Sequence, residues 1–98
     1  MADTKIIDDS FSISSKRGNG ILRREVWVDE HGNVVRYNLA YINFDIFQGD
    51  HGRVLGYDNA HGFHHRHYCG VVEAVEFVSF EDIEARFEAD WSQFRRKR

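Results

Sequence analysis

The sequence predicts an α+β domain, in which an antiparallel meander of about five strands carries one C-terminal helix packed on a face. Segments that alternate apolar and polar residues recur through most of the chain. Turn signals rich in glycine and asparagine separate these segments, and the last segment changes to helical spacing. With 98 residues, 42% of them apolar, the chain has material for one core and no second one, so residues 1–98 form a single domain.

The predicted strands follow in chain order. Residues 1–9 are polar, and we expect them to be a loose terminus. FSISS and ILRREVWV flank KRGNG, a pattern typical of a hairpin. Residues 34–47 are apolar on both faces, as in a central strand. Residues 53–58 and 71–79 are shorter strand predictions, with a histidine-rich tract between them.

The C-terminal segment predicts an amphipathic helix. Ser79 is placed as its N-cap, and Glu81 and Asp82 fall in the first turn, where they oppose the helix dipole. Five apolar residues recur at spacings of three and four and form one stripe: Phe80, Ile83, Phe87, Trp91 and Phe94. We assign this stripe and Trp27 to the core.

The charge of the chain is unevenly distributed. The net charge of −3 argues against a general nucleic-acid coat protein. Basic residues concentrate in SKRGNGILRR and in the final RRKR, whereas residues 71–94 are strongly acidic. Such a molecule can meet a phosphate backbone on one side and a basic partner on the other.

Cysteine usage and the terminus indicate the compartment. One cysteine, Cys69, excludes an internal disulfide and fits a reducing cytosol. No stretch approaches the roughly 18 apolar residues that a membrane helix requires. MADTKIIDDSF carries acidic residues where a signal peptide has a basic start and an apolar run. We therefore expect a cytoplasmic protein that does not contact a membrane.

Chemistry-bearing residues concentrate in one tract, YDNAHGFHHRHYCG, at residues 57–70. If residues 64–69 are extended, alternation places His65, His67 and Cys69 on one face and His64, Arg66 and Tyr68 on the other. Residues two apart on a strand are roughly 6.5 Å apart at their Cα atoms. Two histidines at that spacing permit either acid–base chemistry or metal binding.

The first hypothesis is acid–base cleavage of RNA. Attack by a 2′-hydroxyl on its phosphorus needs a base, an acid and a cation near the phosphoryl oxygens, and histidine can fill either proton role. His65 and His67 are the candidate pair, with Arg66 or Arg53 neutralising the phosphate. Asp58 would orient one imidazole. A regular strand directs Arg66 to the opposite face, so its assignment requires a bend or a loop.

The second hypothesis is a metal site, and the third is a merely polar strand edge. His65 and His67 can chelate zinc or another divalent ion, with His61, Asp58 or Cys69 as a third ligand. Histidines at an exposed strand edge are also common without any function, and spacing alone leaves the three interpretations open.

The tract resembles the signature of the TumE family of toxins from bacterial toxin–antitoxin modules. The resemblance rests on a Tyr-Asp-Asn stretch, a His-Gly pair and a His-x-His element, which here occupy residues 57–62 and 64–67. It implies a toxin whose partner is a helix-turn-helix antitoxin, and by analogy an RNA-cleaving activity. The positions that match, and that become candidate catalytic residues, are Asp58, His61, His65, Arg66 and His67.

Further residues of the same region are candidate substrate-binding residues: Arg53, Tyr57, Asn59 and His64. The net acidity departs from the strongly basic character expected of a ribosome-binding toxin, which argues against direct docking on ribosomal RNA.

Two alternatives from other functional classes remain open. One is a non-catalytic metal-binding or regulatory protein whose acidic helix docks a basic surface. The other is a plain interaction domain, in which an exposed sheet edge could also pair two copies of the chain. The sequence has no helix-turn-helix pattern, so we do not expect this chain to bind an operator itself.

Overall fold

The computed structural model describes residues 3–95, except for the side chain of His61. The chain folds into one six-stranded antiparallel sheet with the strand order β1-β2-β3-β4-β5-β6 and a single α-helix. The elements are β1 (Thr4–Ser12), β2 (Ile21–Val28), β3 (Val34–Ile42), β4 (Arg53–Asp58), β5 (His65–Tyr68), β6 (Val71–Ala74) and α1 (Phe80–Ser92). No helix in this part of the chain is long and apolar enough to cross a membrane.

The predicted α+β class is confirmed, with six strands where about five were expected. The additional strand is β5, which forms from the histidine-rich tract. Strand β1 corresponds to the hairpin strand predicted at FSISS, but it begins at Thr4, within the segment expected to be loose, ends at Ser12 and pairs along its length with β2. Its polar residues form cross-strand ion pairs: Lys5 Nζ lies 2.8 Å from Glu25 Oε2, and Arg23 Nη2 lies 2.6 Å from Asp8 Oδ1. Such pairs stabilise a strand that buries little apolar surface.

Two predicted strands end earlier than the sequence indicated. The strand expected over residues 34–47 ends at Ile42, because the buried Asn43 starts a turn. Its side-chain Oδ1 accepts from the Asp45 backbone N–H at 2.9 Å, and its Nδ2 donates to the Tyr41 hydroxyl at 3.0 Å. The strand expected over residues 71–79 is limited to β6, which pairs only with the four residues of β5.

The helix begins where the sequence placed it. Ser79 is the N-cap, and its hydroxyl oxygen accepts from the Asp82 backbone N–H at 3.1 Å. Ile83 and Phe87 are its buried residues, and the helix packs on β3 and β4.

The core lies between α1 and one face of the sheet. Its buried residues include Val26, Tyr37, Leu39, Tyr41, Leu55, Tyr57, Ile83 and Phe87. Trp27 does not belong to this cluster, contrary to the sequence prediction, because strand alternation directs it away from Val26 to the opposite face, where it is half-buried. We call this opposite sheet face the open face, because α1 does not cover it.

Candidate functional site

Strands β4 and β5 bring three predicted site residues together on the open face. Asp58 is paired in register with His65, and Gly56 with His67. Since alternate residues of a strand share a face, Asp58, His65 and His67 converge. Their exposed fractions are 7%, 4% and 8%, so the three side chains lie just below the surface.

The Asp58 carboxylate is the centre of the group. Its Oδ1 lies 2.8 Å from His65 Nε2 and accepts from the Ala60 backbone N–H at 3.0 Å. Its Oδ2 lies 3.0 Å from His67 Nε2 and accepts from Arg53 Nη1 at 3.4 Å. An ionised carboxylate offers about four lone-pair sites, and all of them are used here. We call Asp58, His65, His67 and Arg53 the Asp58 cluster.

The hydrogen-bond partners of His67 require a neutral imidazole. Its Nδ1 lies 3.1 Å from Arg53 Nη2, and a guanidinium can only donate, so Nδ1 must accept. The single ring proton is therefore on Nε2, where it is donated to Asp58. Burial lowers the pKa of His67, and the positive charge of Arg53 lowers it further, whereas Asp58 acts in the opposite direction.

His65 has the opposite requirement. Its Nδ1 lies 3.0 Å from the Phe63 carbonyl oxygen and its Nε2 faces the Asp58 carboxylate, so both ring nitrogens face acceptors. Both contacts are hydrogen bonds only when the ring carries two protons. The two imidazoles thus share one carboxylate but face different second partners, a guanidinium for His67 and a backbone carbonyl for His65, with ring centroids 4.7 Å apart.

Arg53 reaches the cluster because Gly56 has no side chain. A Cβ at Gly56 would lie 3.1 Å from Arg53 Cδ and 2.5 Å from the Leu39 carbonyl oxygen. The guanidinium is also held by Asp50, which accepts from Nε at 2.8 Å and from Nη2 at 3.2 Å. Asp50 has a left-handed backbone with φ 51, which a short polar side chain tolerates. This turn and Gly56 fix Arg53 beside His67.

A depression of about 340 Å³ opens beside the cluster on the open face. Arg53 and Asp58 line it on one side, and the residues of β2 and β3 line the other: Glu25, Trp27, Arg36 and Asn38. The volume falls at the lower end of the range of about 300–1,000 Å³ that is usual for small-ligand pockets. A group of nucleotide size can therefore approach Arg53 and Asp58 from solvent.

The same residues could hold a metal ion. One ligand atom from each of Asp58, His65 and His67 lies within 4.8 Å of the others. His65 has the tautomer that a ligand needs, since its Nδ1 donates to a backbone carbonyl and leaves Nε2 for the ion. His67 does not, because ligation through Nε2 would move its proton to Nδ1, directly against the Arg53 guanidinium. A metal at this site requires Arg53 to move away.

Two predicted site residues lie on the helix side of the sheet instead. Arg66 donates from Nε to Asp90 at 3.0 Å and from Nη1 to Glu73 at 3.1 Å. The Tyr57 hydroxyl donates to the same Asp90 oxygen at 2.6 Å. Burial raises the pKa of Tyr57 to about 12, and Asp90 contributes. The strand has no bend at Arg66, so the structure separates both residues from the Asp58 cluster.

The remaining predicted residues have structural contacts. The Asn59 side chain bridges to β3, accepting from the Tyr37 backbone N–H at 3.1 Å and donating to the Val35 carbonyl at 3.0 Å. His64 Nδ1 lies 2.9 Å from the Tyr37 hydroxyl, and its ring stacks on Phe77. The His61 side chain lies outside the described part of the structure.

Sequence reasoning missed Asp50, Gly56 and the position of Trp27. Asp50 precedes Arg53 by three residues, a spacing at which opposite charges often pair, and this signal could have identified it. Gly56 interrupts an otherwise apolar strand, which indicates close approach of another group. The contact of Trp27 with the open face depends on which face the helix covers, and no local signal gives that.

No protein-family model, curated protein or solved structure matches this chain.

Proposed function

We propose that this protein is a toxin that cleaves RNA through a metal-free acid–base site formed by the Asp58 cluster. The observation that carries the proposal is the pair of histidines on one carboxylate with opposite second partners: His67 faces a guanidinium that can only donate, and His65 faces a carbonyl that can only accept. Phosphodiester cleavage by a neighbouring hydroxyl needs a base and an acid, together with a cation at the phosphate.

The proton roles follow from the hydrogen bonds. His67 is neutral, and its lone pair is at Nδ1, so this atom is the base that takes the proton of the ribose 2′-hydroxyl. His65 faces two acceptors, and in its protonated form it gives its Nε2 proton to the departing 5′-oxygen. The 2′-oxygen–phosphorus bond forms and the phosphorus–5′-oxygen bond breaks, which yields a 2′,3′-cyclic phosphate and a 5′-hydroxyl end. After cleavage His67 is protonated and His65 is neutral, which is the reverse of their states before the reaction.

Arg53 links substrate binding to activation of the base. Before substrate binds, its guanidinium donates to the lone pair of His67 Nδ1. An RNA phosphate entering the depression competes with Asp50 and Asp58 for this guanidinium, and a bidentate arginine–phosphate contact favours the phosphate. As Arg53 turns to the phosphate, His67 Nδ1 becomes free to accept a proton.

The toxin assignment rests on the resemblance of the tract to the TumE signature. In this proposal the protein acts in the cytoplasm and a helix-turn-helix antitoxin neutralises it. Three of the motif positions, Asp58, His65 and His67, lie in one cluster, and Arg53 replaces Arg66 as the phosphate-binding cation.

The test is cleavage of a single-stranded RNA by purified protein, with the end groups of the products determined. We expect cyclic phosphate and 5′-hydroxyl ends, no effect of chelator, and a loss of about 10²–10⁴-fold in rate for His65→Gln and for His67→Gln. His31→Gln is the matched control, because the side chain of His31 is 74% exposed and lies in a turn. Thermal unfolding of each variant verifies that it is folded.

Inducible expression in a bacterial host separates the toxin from the nuclease. Growth arrest with RNA loss that disappears in both glutamine variants agrees with the proposal. Arrest without RNA loss retains the toxin and removes the nuclease. Full cleavage by folded His65→Gln and His67→Gln proteins contradicts the assignment of the site.

Metal binding is the second candidate function, favoured by the convergence of the three ligand atoms. Untagged protein would then contain one divalent ion per chain, and Asp58→Asn would lose it. Cleavage that stops in chelator and returns with added metal would also replace the acid–base mechanism, because the ion would activate water.

A further inference from the structure

Two partly exposed aromatic side chains, Trp27 and Phe63, lie close to residues of the Asp58 cluster. Trp27 lies across the depression from Arg53 and Asp58, as part of the opposite wall. Phe63 lies beside the cluster, two residues before β5, with its ring centroid 4.7 Å from that of His65. The mechanism proposed above uses neither ring.

Trp27 carries a basic side chain from each neighbouring strand: Lys5 Nζ of β1 lies 5.0 Å from its ring centroid, and Arg36 of β3 forms a second pair with it at the wall of the depression. Trp27 and Arg36 are paired in register between β2 and β3, and the Arg36 guanidinium carbon lies 4.6 Å from the Trp27 ring centroid. Arg36 is exposed and, among residues 3–95, forms no ion pair with a carboxylate. The wall therefore presents the Trp27 ring and the Arg36 guanidinium, together with the Glu25 carboxylate that Lys5 and Asn38 hold, to whatever enters.

Phe63 is 47% exposed although its neighbour His65 is buried. Its backbone carbonyl accepts from His65 Nδ1, which fixes the segment, while its ring remains open to solvent. Phe77 provides a comparison. It is 40% exposed and stacks on a histidine as well, but this histidine is His64, at the other side of the sheet. Folding does not require Phe63 to lie against the open face, since it belongs to no part of the core.

Exposed aromatic and arginine planes on an open sheet face are typical of single-stranded RNA recognition. Unpaired bases stack on aromatic rings and on guanidinium planes, and each stacked base contributes about 1–3 kcal/mol. A duplex cannot use such planes, because its bases already stack on one another. Arg53 lines the same depression as Trp27 and is the cation that a backbone phosphate would meet there.

We infer that the Trp27–Arg36 pair and Phe63 are two base-stacking sites, which hold the bases of a single-stranded RNA on either side of the phosphate at Arg53. The inference rests on the proposed function for the identity of that phosphate. It adds the substrate class: unpaired RNA of at least two nucleotides, bound with little regard to base identity because every base has a stacking face.

The experiment measures binding separately from cleavage. A short fluorescently labelled oligonucleotide with 2′-O-methyl riboses cannot be cleaved by 2′-hydroxyl attack, and its anisotropy reports the dissociation constant. We expect Trp27→Leu and Phe63→Leu each to weaken binding about tenfold or more, since 1.4 kcal/mol is one factor of ten. Phe77→Leu, the matched control, leaves binding unchanged.

A second substitution verifies the role of the ring. Trp27→Phe keeps an aromatic plane, so it should retain most of the affinity that Trp27→Leu loses. If both Trp27 variants bind as wild type while folded, the stacking assignment at Trp27 is wrong. Binding of a matched duplex as tightly as the single strand also overturns the inference.

The outcomes distinguish this inference from the proposed function. Normal affinity in Trp27→Leu and Phe63→Leu, with RNA cleavage by the wild type, removes the stacking sites and leaves the nuclease. Binding that depends on both rings, without cleavage of unmodified RNA, leaves the stacking sites and removes the nuclease.

Discussion

Two carboxylates contact opposite faces of strands β4 and β5, and their environments differ. Asp90, on α1, accepts from the Tyr57 hydroxyl and from Arg66 Nε, and its side chain is 20% exposed. Asp58, on β4, is surrounded by two histidines, an arginine and a backbone N–H, and its side chain is 10% exposed. Both connect β4 to β5, but only Asp90 also attaches the helix to the sheet.

The docking of the helix explains the contacts of Asp90, but it does not explain the contacts of Asp58. The Asp90 contacts satisfy polar groups at the edge of the core, as helix docking requires. The Asp58 cluster places ionisable groups below a face that carries no helix, where no core needs them. Perturbed and coupled ionisable groups beside a depression are typical of functional sites.

The largest effect that tests this comparison is on stability. Asp58→Asn should lower the free energy of unfolding by about 3–5 kcal/mol, because Arg53 loses its buried counter-charge and the donors around Asp58 lose an acceptor. Asp90→Asn should cost about 1–2 kcal/mol, since its partners can turn to water. Urea unfolding of both variants measures the difference, and equal losses would mean that the two carboxylates have the same structural role.

A smaller effect tests how Arg53 enters the cluster. Gly56→Ala should destabilise the protein by about 1–3 kcal/mol, because the new Cβ would overlap the Leu39 carbonyl oxygen and press on Arg53. Gly32→Ala is the control for glycine replacement itself, since Gly32 has φ +84 and nothing within 4 Å of a Cβ. Its cost should come only from the left-handed backbone, about 1 kcal/mol. A Gly56→Ala protein as stable as wild type would show that β4 can move away from β3.

The smallest effect is a dependence of stability on pH. Burial lowers the pKa of His67 and of His64, so the unfolded chain binds protons more readily than the folded one below about pH 6.5. The contribution of these two histidines to stability should therefore be constant above that pH and fall as the pH decreases through it, by at most about 1.4 kcal/mol per pH unit for each histidine.

Thermal unfolding between about pH 5 and pH 8 measures this slope, because carboxylates titrate mostly below that window. His67→Gln and His64→Gln should each reduce the slope. A slope that is unchanged in His67→Gln would contradict the neutral state assigned to this ring.

The sequence predicted what depends on local periodicity. The helix was placed from Ser79 and a single apolar stripe, and the convergence of His65 and His67 followed from strand alternation. Alternation also predicted that Arg66 faces away from His65 and His67. For this residue, strand alternation was a better guide than the TumE-like motif, which placed Arg66 among the catalytic candidates. The early start of strand β1 at Thr4 was missed because cross-strand ion pairs, rather than apolar burial, stabilise this part of it.

The parts that could not be predicted depend on contacts through space. The place of Arg53 in the cluster depends on the space above Gly56 and on the turn that presents Asp50. The exposure of Trp27 depends on which sheet face receives α1. Neither is encoded within a few residues of the side chain concerned.

The strand order affects how quickly the Asp58 cluster can form during folding. Every strand pairs only with its neighbours along the chain, and all groups of the Asp58 cluster come from the single hairpin of β4 and β5. Contacts between residues close in sequence form with little loop-closure cost, so proteins rich in them fold rapidly. In a newly synthesised chain, the four residues of the Asp58 cluster can therefore come together when the β4–β5 hairpin forms, before the two ends of the chain are in contact.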